Sequence, residues 1–314
     1  MDLAPRSSLW QRLSTSLDGI PFHDEPRPTA PDRLGLQWLG TAGFRLQLGG
    51  KHLWFDPHLS RHSLRQVALG RIAPVPSRVL ADVDAADAVL VGHSHFDHAI
   101  DAPLIARHFG AHVYGAEDTL VYCRGQGVPE AQLHPLRGDA ATYALGPYTI
   151  AARRSVHSPF ALGRVPFPGG ILEPFQLPAS AARWRVGQVL ALHVTAEATP
   201  GRRWTVAHIG SAALLDAELQ GLQADVVLAC TIGRHATPNF THRLIDALRP
   251  KLVVPCHWDA FWRPLDAPLR QIPSNDLRGF LLEVASHPLA PQTRVLAPRG
   301  WTTLDDLPSS QPLP

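Results

Sequence analysis

Within the segment GHSHFDHAID (residues 92–101), the six positions 93–98 hold three imidazoles and one carboxylate. His93 and His95 alternate along an extended chain and therefore point to the same side, while Asp97 and His98 follow at the predicted turn into a helix. Two of the imidazoles can share one metal ion, and the carboxylate and the third imidazole can reach a second. These groups are preferred zinc ligands, and manganese or iron are alternatives.

Two further histidines follow predicted strands that lie far away along the chain. His157 comes after TIAARRSV, and His257 comes after KLVVPC. A single histidine at such a position is more often structural than a ligand. Both, however, follow a buried strand at its carboxyl end, as the 93–98 group does, and this shared placement favours a ligand role. The alternative for the 93–98 group is a polar loop exposed to solvent. In such a loop the neighbouring imidazoles would repel one another when protonated, and without a shared cation nothing would compensate for that repulsion.

The composition limits the kinds of protein that this sequence can be. The 314 residues are 45% hydrophobic and carry a formal net charge of +2, which allows one sizeable domain or two closely packed halves and gives no broad basic surface for nucleic acid. Cys123, Cys230 and Cys256 are too scattered for a disulfide framework. We expect a cytoplasmic protein without a membrane span that acts on a small molecule, and its oligomeric state is left open.

The pattern of predicted elements indicates two sheets that pack face to face with helices outside. Residues 34–57 predict strands around a Gly-Gly turn, and the later segments alternate strands such as KLVVPCHW with helices such as ALLDAELQGL. We predict an N-terminal extension (1–33), one main domain (34–305) and a flexible tail (306–314). Within the domain, residues 158–183 are irregular and rich in Pro, Gly and Phe, so they predict a loop insertion near the site.

With these residues in view, the sequence resembles the metallo-β-lactamase fold superfamily of metallohydrolases. The His93-x-His95-x-Asp97-His98 run is the part that carries the resemblance, which extends over roughly residues 34–300. It implies a four-layer αβ/βα sandwich with two mixed β-sheets flanked by helices, and with metals at one edge between the sheets. The implied ligands are His93, His95 and His157 for a first metal and Asp97, His98 and His257 for a second.

Two other segments are similar to one branch of that superfamily. WFDPHLSRHS (54–63) and HWDAFWRPLDAP (257–268) look like segments of N-acylphosphatidylethanolamine phospholipase D-like and ascorbate-6-phosphate lactonase-like members. In that setting Asp56 orients a metal-ligating histidine through the free ring nitrogen of that histidine. The alternative is that Asp56 only forms a turn before Pro57.

One position departs from the pattern of the superfamily. Members normally have a bridging aspartate after a strand of the second half, and the matching residue here is Ser211. A hydroxyl is a weak, neutral ligand, so the second metal is expected to bind less tightly or to be absent. His208, His235 or Asp259 are candidates to take the place of the missing carboxylate.

These observations predict a metal-dependent hydrolase that binds one or two zinc ions, with manganese or iron as alternatives. A metal-bound hydroxide would attack a phosphodiester, lactone or related ester. Asp97 would hold this nucleophile and accept its proton, which makes Asp97 the predicted catalytic residue. Two other functions remain open at this point: a degenerate metal- or ligand-binding protein without turnover, and an iron-dependent redox enzyme.

Overall fold

The structure is a computed structural model that describes residues 16–139, 141–160 and 163–307. Residues 1–15 of the predicted extension and residues 308–314 of the predicted tail lie outside the described residues. Within the described ranges the chain forms two seven-stranded mixed β-sheets with helices on their outer faces. The predicted four-layer αβ/βα sandwich is therefore confirmed.

The first sheet comes mainly from the N-terminal half of the chain. Its strands, in spatial order, are β16 (Trp301–Thr303), β2 (Gly35–Trp38), β3 (Phe44–Leu48), β4 (Lys51–Phe55), β5 (Ala88–Leu90), β6 (His112–Gly115) and β7 (Leu133–Pro135). Neighbours are antiparallel from β16 to β4 and parallel from β4 to β7. Gly49 and Gly50 join β3 to β4 as predicted, because both have a positive φ that glycine adopts without strain.

The second sheet comes from the C-terminal half. In spatial order its strands are β14 (Gln292–Thr293), β13 (Leu252–Cys256), β12 (Val226–Cys230), β11 (Arg202–Ile209), β10 (Val189–Thr199), β9 (Tyr148–Ser155) and β8 (Tyr143–Leu145). Neighbours are parallel from β14 to β11 and antiparallel from β11 to β8. A separate parallel pair, β1 (Phe22–His23) and β15 (Val295–Leu296), joins the two ends of the described chain.

Helices connect the strands and cover the outer faces of both sheets. In the described residues they are α1 (Leu64–Leu69), α2 (Pro76–Asp82), α3 (Phe96–Ala99), α4 (Ala102–Phe109), α5 (Glu117–Gly125), α6 (Asp216–Leu219), α7 (Phe240–Leu248) and α8 (Leu277–Ala285). The helix predicted for ALLDAELQGL is reduced to the single turn of α6. The helix ends at Leu219 because Gln220 leaves the helical region with a ψ of 127°, and Gly221 then turns the chain with a positive φ of 78°.

Alternate residues of the central strands enter two different cores. On β4, Leu53 and Phe55 face the second sheet, while Trp54 packs beneath the helices that cover the first sheet. On β5, Leu90 faces the second sheet and Val89 faces the helices. This follows from the two-residue period of a strand, and burial on both faces explains why β5 reads as a continuous apolar run.

Four chain segments leave the two sheets at one common edge. They follow β5, β9, β11 and β13, and they begin at Val91, Val156, Gly210 and His257. Because β5 and its neighbours β4 and β6 are parallel, and β11 to β13 are parallel in the other sheet, strands of both sheets end on the same side of the core. The side chains that follow these strands are thus brought together on a rigid base.

Substitution of a core residue between the two sheets tests this description of the packing. Leu228 on β12 is fully buried, whereas Leu282 on α8 is 64% exposed. We expect Leu228→Ala to lower the free energy of unfolding by about 2–5 kcal/mol through lost burial and a residual cavity. The matched change Leu282→Ala is expected to alter it by about 0.5 kcal/mol or less. Urea unfolding of both variants measures the difference, and equal effects contradict this description of the core.

Candidate metal centre

The candidate metal centre lies at the common edge where the four segments leave the sheets. His93 and His95 lie on the loop after β5, and Asp97 and His98 occupy the first turn of α3. His157 follows β9 and His257 follows β13. The structure therefore brings together all six residues that the sequence predicts as ligands, although they are spread over more than half of the chain.

The first group of three, the histidine triad, consists of His93, His95 and His157. One ring nitrogen of each lies within 4.8 Å of the others. The Nε2 atom of His93 and the Nδ1 atom of His95 are 3.2 Å apart. Two ligands of one tetrahedral zinc ion, with bonds of about 2.0–2.1 Å, are separated by about 3.3–3.4 Å. The observed spacing therefore matches one edge of such a tetrahedron.

The second group, the mixed triad, consists of Asp97, His98 and His257, and its ligand atoms also lie within 4.8 Å of one another. The Oδ2 atom of Asp97 lies 3.2 Å from Nε2 of His257 and 4.0 Å from Nε2 of His98. All three residues are buried. This triad combines one carboxylate with two imidazoles, so it can neutralise part of the charge of a bound cation.

Hydrogen bonds behind the rings determine which nitrogen atoms are free to bind a metal. Nε2 of His95 lies 2.9 Å from the carbonyl oxygen of Pro166, and Nδ1 of His157 lies 2.7 Å from that of Ser158. A carbonyl oxygen only accepts, so each of these nitrogens carries the proton and donates. The other nitrogen of each ring keeps its lone pair and faces the triad, which is the arrangement that a metal ligand requires.

Asp56 supports the mixed triad from behind. Its Oδ2 atom accepts a hydrogen bond of 2.7 Å from Nδ1 of His98, and its Oδ1 atom accepts one of 2.6 Å from the backbone N–H of Gly92. Asp56 is completely buried. These contacts favour the orienting role, one of the two alternatives that the sequence offered, over a role in the turn before Pro57 alone, and the orienting role stays a prediction.

A buried ion pair holds the backbone beside His257. The backbone N–H of His257 donates to the carbonyl of Thr41 over 2.8 Å, and the N–H of Thr41 donates to Oδ1 of Asp259 over 2.8 Å. Nη2 of Arg61 donates to Oδ2 of Asp259 over 2.6 Å. Asp259 is thus engaged by two donors and holds the loop in place. Arg61 and Thr41 were missed from the sequence, because no spacing rule links them to Asp259.

Backbone strain is concentrated in this layer. Thr41, Asp56, Arg61 and His257 are non-glycine residues with φ between 40° and 56°. Each such left-handed residue costs on the order of 1–3 kcal/mol and persists only where the surroundings impose it. Since all four contact one another or the mixed triad, the fold accepts this cost at the place where ligand geometry has to be fixed.

Burial keeps the imidazoles of the histidine triad neutral. It lowers the pKa of His95 to about 4 and that of His157 to about 3, and burial together with the neighbouring histidines lowers the pKa of His93 well below its usual value. Burial acts the opposite way on Asp97, but His98 and His257 outweigh it and lower the pKa of Asp97. At neutral pH the histidine triad therefore presents unprotonated nitrogens, and Asp97 beside it is a carboxylate.

Burial also opposes protonation of His98, but here the nearby carboxylates prevail. The charges of Asp56 and Asp97 outweigh the effect of burial and raise the pKa of His98. The mixed triad thus concentrates negative charge around one imidazole, whereas the histidine triad has no carboxylate among its three members. A cation placed at the mixed triad replaces the proton that these carboxylates attract.

Ser211 takes part in the loop that carries His157. It follows β11 by two residues and is buried. Its hydroxyl oxygen accepts a hydrogen bond of 3.0 Å from the backbone N–H of Ser158, the residue after His157. The serine that stands in place of the usual bridging aspartate therefore stabilises the backbone at His157.

Several other candidate residues lie outside the two triads. His208 is fully buried, donates through Nε2 to the carbonyl of Ala42 over 2.8 Å and stacks on Phe55. His235 is exposed on a short 3₁₀ turn, Arg234–Ala236. Burial raises the pKa of the thiols of Cys230 and Cys256, so both stay protonated. We assign His208 a packing role, and His235 lines a different cavity together with Thr237 and Phe240.

A cavity of about 260 Å³ opens beside the triads. His95, Asp97, His157 and His257 form part of its wall. Phe160, Pro166 and Phe167 from the predicted insertion also line it. Any small molecule in this cavity is therefore in contact with the ligand side chains and with the insertion.

No helix within residues 16–139, 141–160 and 163–307 combines the length and the apolar character that are needed to cross a lipid bilayer.

Known proteins with similar sequences or folds include metal-dependent hydrolases. A family model described as a beta-lactamase superfamily domain matches residues 41–258. A relative from Pyrobaculum arsenaticum, named as a metal-dependent hydrolase, is 26% identical over 251 residues, which cover 76% of this chain and 88% of the relative.

Solved structures share the architecture at lower sequence identity. A metallo hydrolase from Ignicoccus hospitalis superposes with a TM-score of 0.56 and 20% identity, covering 86% of this chain and 98% of its own. CmlA, a diiron beta-hydroxylase from Streptomyces venezuelae, superposes with a TM-score of 0.52 and 15% identity, covering 88% of this chain and 55% of its own. At these identities the likeness establishes the fold.

The Asp56–His98 hydrogen bond leads to a prediction about metal affinity. Asp56→Asn keeps the size of the side chain but removes the charge that orients His98, and we expect the affinity for Zn²⁺ to fall roughly 10–100-fold. Asp246→Asn is the matched control, because Asp246 contacts His287 at the surface, far from the triads. Competition against a chromophoric chelator measures both affinities. An unchanged affinity in Asp56→Asn contradicts the orienting role.

Proposed function

The chain belongs to the beta-lactamase superfamily and is a metal-dependent hydrolase, and from this premise we propose that its two triads hold zinc for hydrolysis of a small lactone, phosphodiester or related ester. The observation that supports this most strongly is the convergence of six potential ligands from three segments into two groups of three. Three protein ligands with an open fourth position are typical of catalytic zinc, whereas structural zinc usually has four.

The residues present fit the proposed ions. The histidine triad offers neutral imidazoles whose other nitrogens are already committed to carbonyl groups in the case of His95 and His157. The mixed triad adds the carboxylate of Asp97. Because each triad is complete without a shared carboxylate, we propose that the chain can hold two ions even though Ser211 replaces the bridging aspartate.

Asp97 is the proposed catalytic residue. It lines the cavity, and its lowered pKa keeps it a carboxylate whose oxygen can accept a hydrogen bond from a water molecule and orient it. We propose from this position that Asp97 also receives the proton of that water. A divalent cation bound at the triads supplies Lewis acidity, which lowers the pKa of water towards about 7 and polarises the scissile bond. The apolar wall formed by the insertion excludes bulk water and so strengthens these electrostatic interactions.

The alternative is an iron-dependent redox enzyme. One observation favours it: Asp97, His98 and His257 have the two-histidine, one-carboxylate composition of many non-haem iron sites, and the fold also occurs in a diiron hydroxylase. We favour zinc because the other triad consists of imidazoles alone, which suit zinc well. Elemental analysis of the protein as purified distinguishes the two.

We also propose that residues 34–305 form one domain that acts in the cytoplasm on a small molecule. All three cysteines are buried free thiols, which supports a reducing compartment. Residues 158–183 form the proposed insertion at the site, and the carbonyl of Pro166 supports this role because it accepts from His95.

Removal of the metal tests the proposed activity. We expect a chelator to abolish turnover of a lactone or of bis(p-nitrophenyl) phosphate, and added Zn²⁺ to restore it. His95→Ala should lose the ion at the histidine triad and reduce turnover to that of metal-free protein, because an ion with two remaining ligands is held weakly. His108→Ala, an exposed histidine of α4, is the control and should keep metal and activity. Full turnover without metal rejects the hydrolase proposal. The proposal is also rejected if protein that holds two ions turns over no substrate in a broad panel.

Ser211 allows a test of the metal stoichiometry. Ser211→Asp adds a negative charge to the cavity wall that residues of both triads share, so we expect more metal per chain after dialysis, with the largest gain for the second ion. Ser211→Ala removes the hydrogen bond to Ser158 without adding charge and should not raise the metal content. Elemental analysis reports the outcome. If the native protein already retains two tightly bound ions, the serine does not limit occupancy and this expectation is wrong.

A further inference from the structure

Apart from the candidate ligands, most of the residues that line the cavity are apolar. They come from five different parts of the chain and include Leu64, Val67, Phe96, Phe167, Ile232 and Phe261. Two of the rings lie directly beside ligands. The ring centre of Phe261 is 5.6 Å from that of His257, and the ring centre of Phe167 is 6.3 Å from that of His95. An apolar substrate group placed here is therefore next to the reacting bond.

Among the described residues that line the cavity, none carries a positive charge that could pair with a second charge on a substrate. None of the described residues that line it is Lys or Arg, and Asp97 is the carboxylate among them. The two buried arginines nearby, Arg61 and Arg234, are already committed, since Arg61 binds Asp259 and Arg234 contacts Glu283. A substrate with a remote phosphate or carboxylate would have to lose water around that charge without gaining a partner.

The cavity also lacks a set of groups that could recognise a sugar. Apart from the candidate ligands, its polar side chains are Ser158 and Ser211. The oxygen of Ser211 accepts from the backbone of Ser158, and the two hydroxyl oxygens are 3.5 Å apart. These two hydroxyl groups therefore contact each other and the backbone of the loop that carries His157. The several hydroxyls of a sugar or nucleotide would therefore exchange their hydrogen bonds to water for contacts with carbon.

We propose that the substrate carries a compact, uncharged alkyl or aryl group next to the scissile bond, and that Phe167 and Phe261 select for this group. The inference rests on the proposed hydrolase function and narrows its substrate class. Size supports a short chain or a single ring, because about 260 Å³ lies below the roughly 300–1,000 Å³ of sites for drug-sized ligands. Sugar lactones, sugar phosphates and nucleotides are excluded as good substrates.

Three γ-lactones with the same reacting bond test the proposal. γ-Octalactone carries a butyl group, γ-butyrolactone carries none, and D-ribono-γ-lactone carries hydroxyls. Burial of each CH₂ group increases kcat/KM about fourfold, so we expect γ-octalactone to exceed γ-butyrolactone by more than about tenfold and D-ribono-γ-lactone to be poorest. The phosphodiester arm compares bis(p-nitrophenyl) phosphate with the p-nitrophenyl ester of thymidine 5′-phosphate, and the diaryl ester should be preferred. Equal rates within both arms overturn the proposal while the hydrolase function stands.

Variants connect the preference to the two rings. Phe167→Ala and Phe261→Ala should reduce the γ-octalactone preference by about tenfold, mainly through KM, because apolar area is lost from the wall. Phe109→Ala is the control, since Phe109 packs beneath the helices and does not line the cavity. A preference that survives both cavity variants rejects the role of these rings.

Binding to metal-free protein separates failure of the inference from failure of the proposed function. Titration calorimetry with γ-octalactone should show binding that weakens about tenfold in Phe167→Ala and is unchanged in Phe109→Ala. If metal-loaded protein hydrolyses no substrate while this binding pattern holds, the hydrolase proposal fails and the apolar specificity of the cavity stands. If D-ribono-γ-lactone binds as tightly as γ-octalactone, the inference itself is wrong.

Discussion

The structure depends on the burial of five imidazoles and one carboxylate at a single edge between two sheets. Burying several ionisable groups together is costly unless each is kept neutral or given a partner. Hydrogen bonds to Pro166, Ser158 and Asp56 provide partners for three of the rings on the side away from the centre. On the sides that face the centre, ring nitrogens contact one another or the carboxylate of Asp97, and a shared cation would give them one common partner.

A second layer of residues accepts strain and a buried ion pair so that the first layer keeps its geometry. Buried pairs such as Arg61–Asp259 often contribute little net stability, because desolvation offsets their attraction. Here the pair determines the position of Thr41, whose carbonyl receives the N–H of His257. The left-handed backbone of Thr41, Arg61 and His257 follows from the same requirement. We infer that this layer exists for positional precision, with stability provided by the apolar core between the sheets.

The sequence predicted the parts of this protein that arise from local spacing, and missed those that arise from contacts between distant segments. The 93–98 run and the strands before His157 and His257 have clear patterns, and they were enough to predict the fold and the convergence of the six residues. Arg61 and Asp259 are separated by 198 positions, so no local pattern links them. The acceptor for His95 is a backbone carbonyl, and because every residue has one, the residue type does not reveal which carbonyl accepts. His208 looked like a possible substitute ligand, yet its buried place against Phe55 depends on sheet packing that a single-strand pattern does not reveal.

The replacement of a bridging carboxylate by Ser211 and the apolar character of the cavity are physically related. With a serine there, Asp97 is the negatively charged side chain among the described residues of the cavity wall. A cation at the triads is then less neutralised by the protein, and in a wall of phenylalanine and leucine its field is weakly screened. A charged or hydroxylated substrate would bring its own water and reduce that field, whereas an apolar one displaces water and preserves it. The low carboxylate count and the apolar wall thus favour the same kind of substrate, one whose only polar group is the bond to be broken.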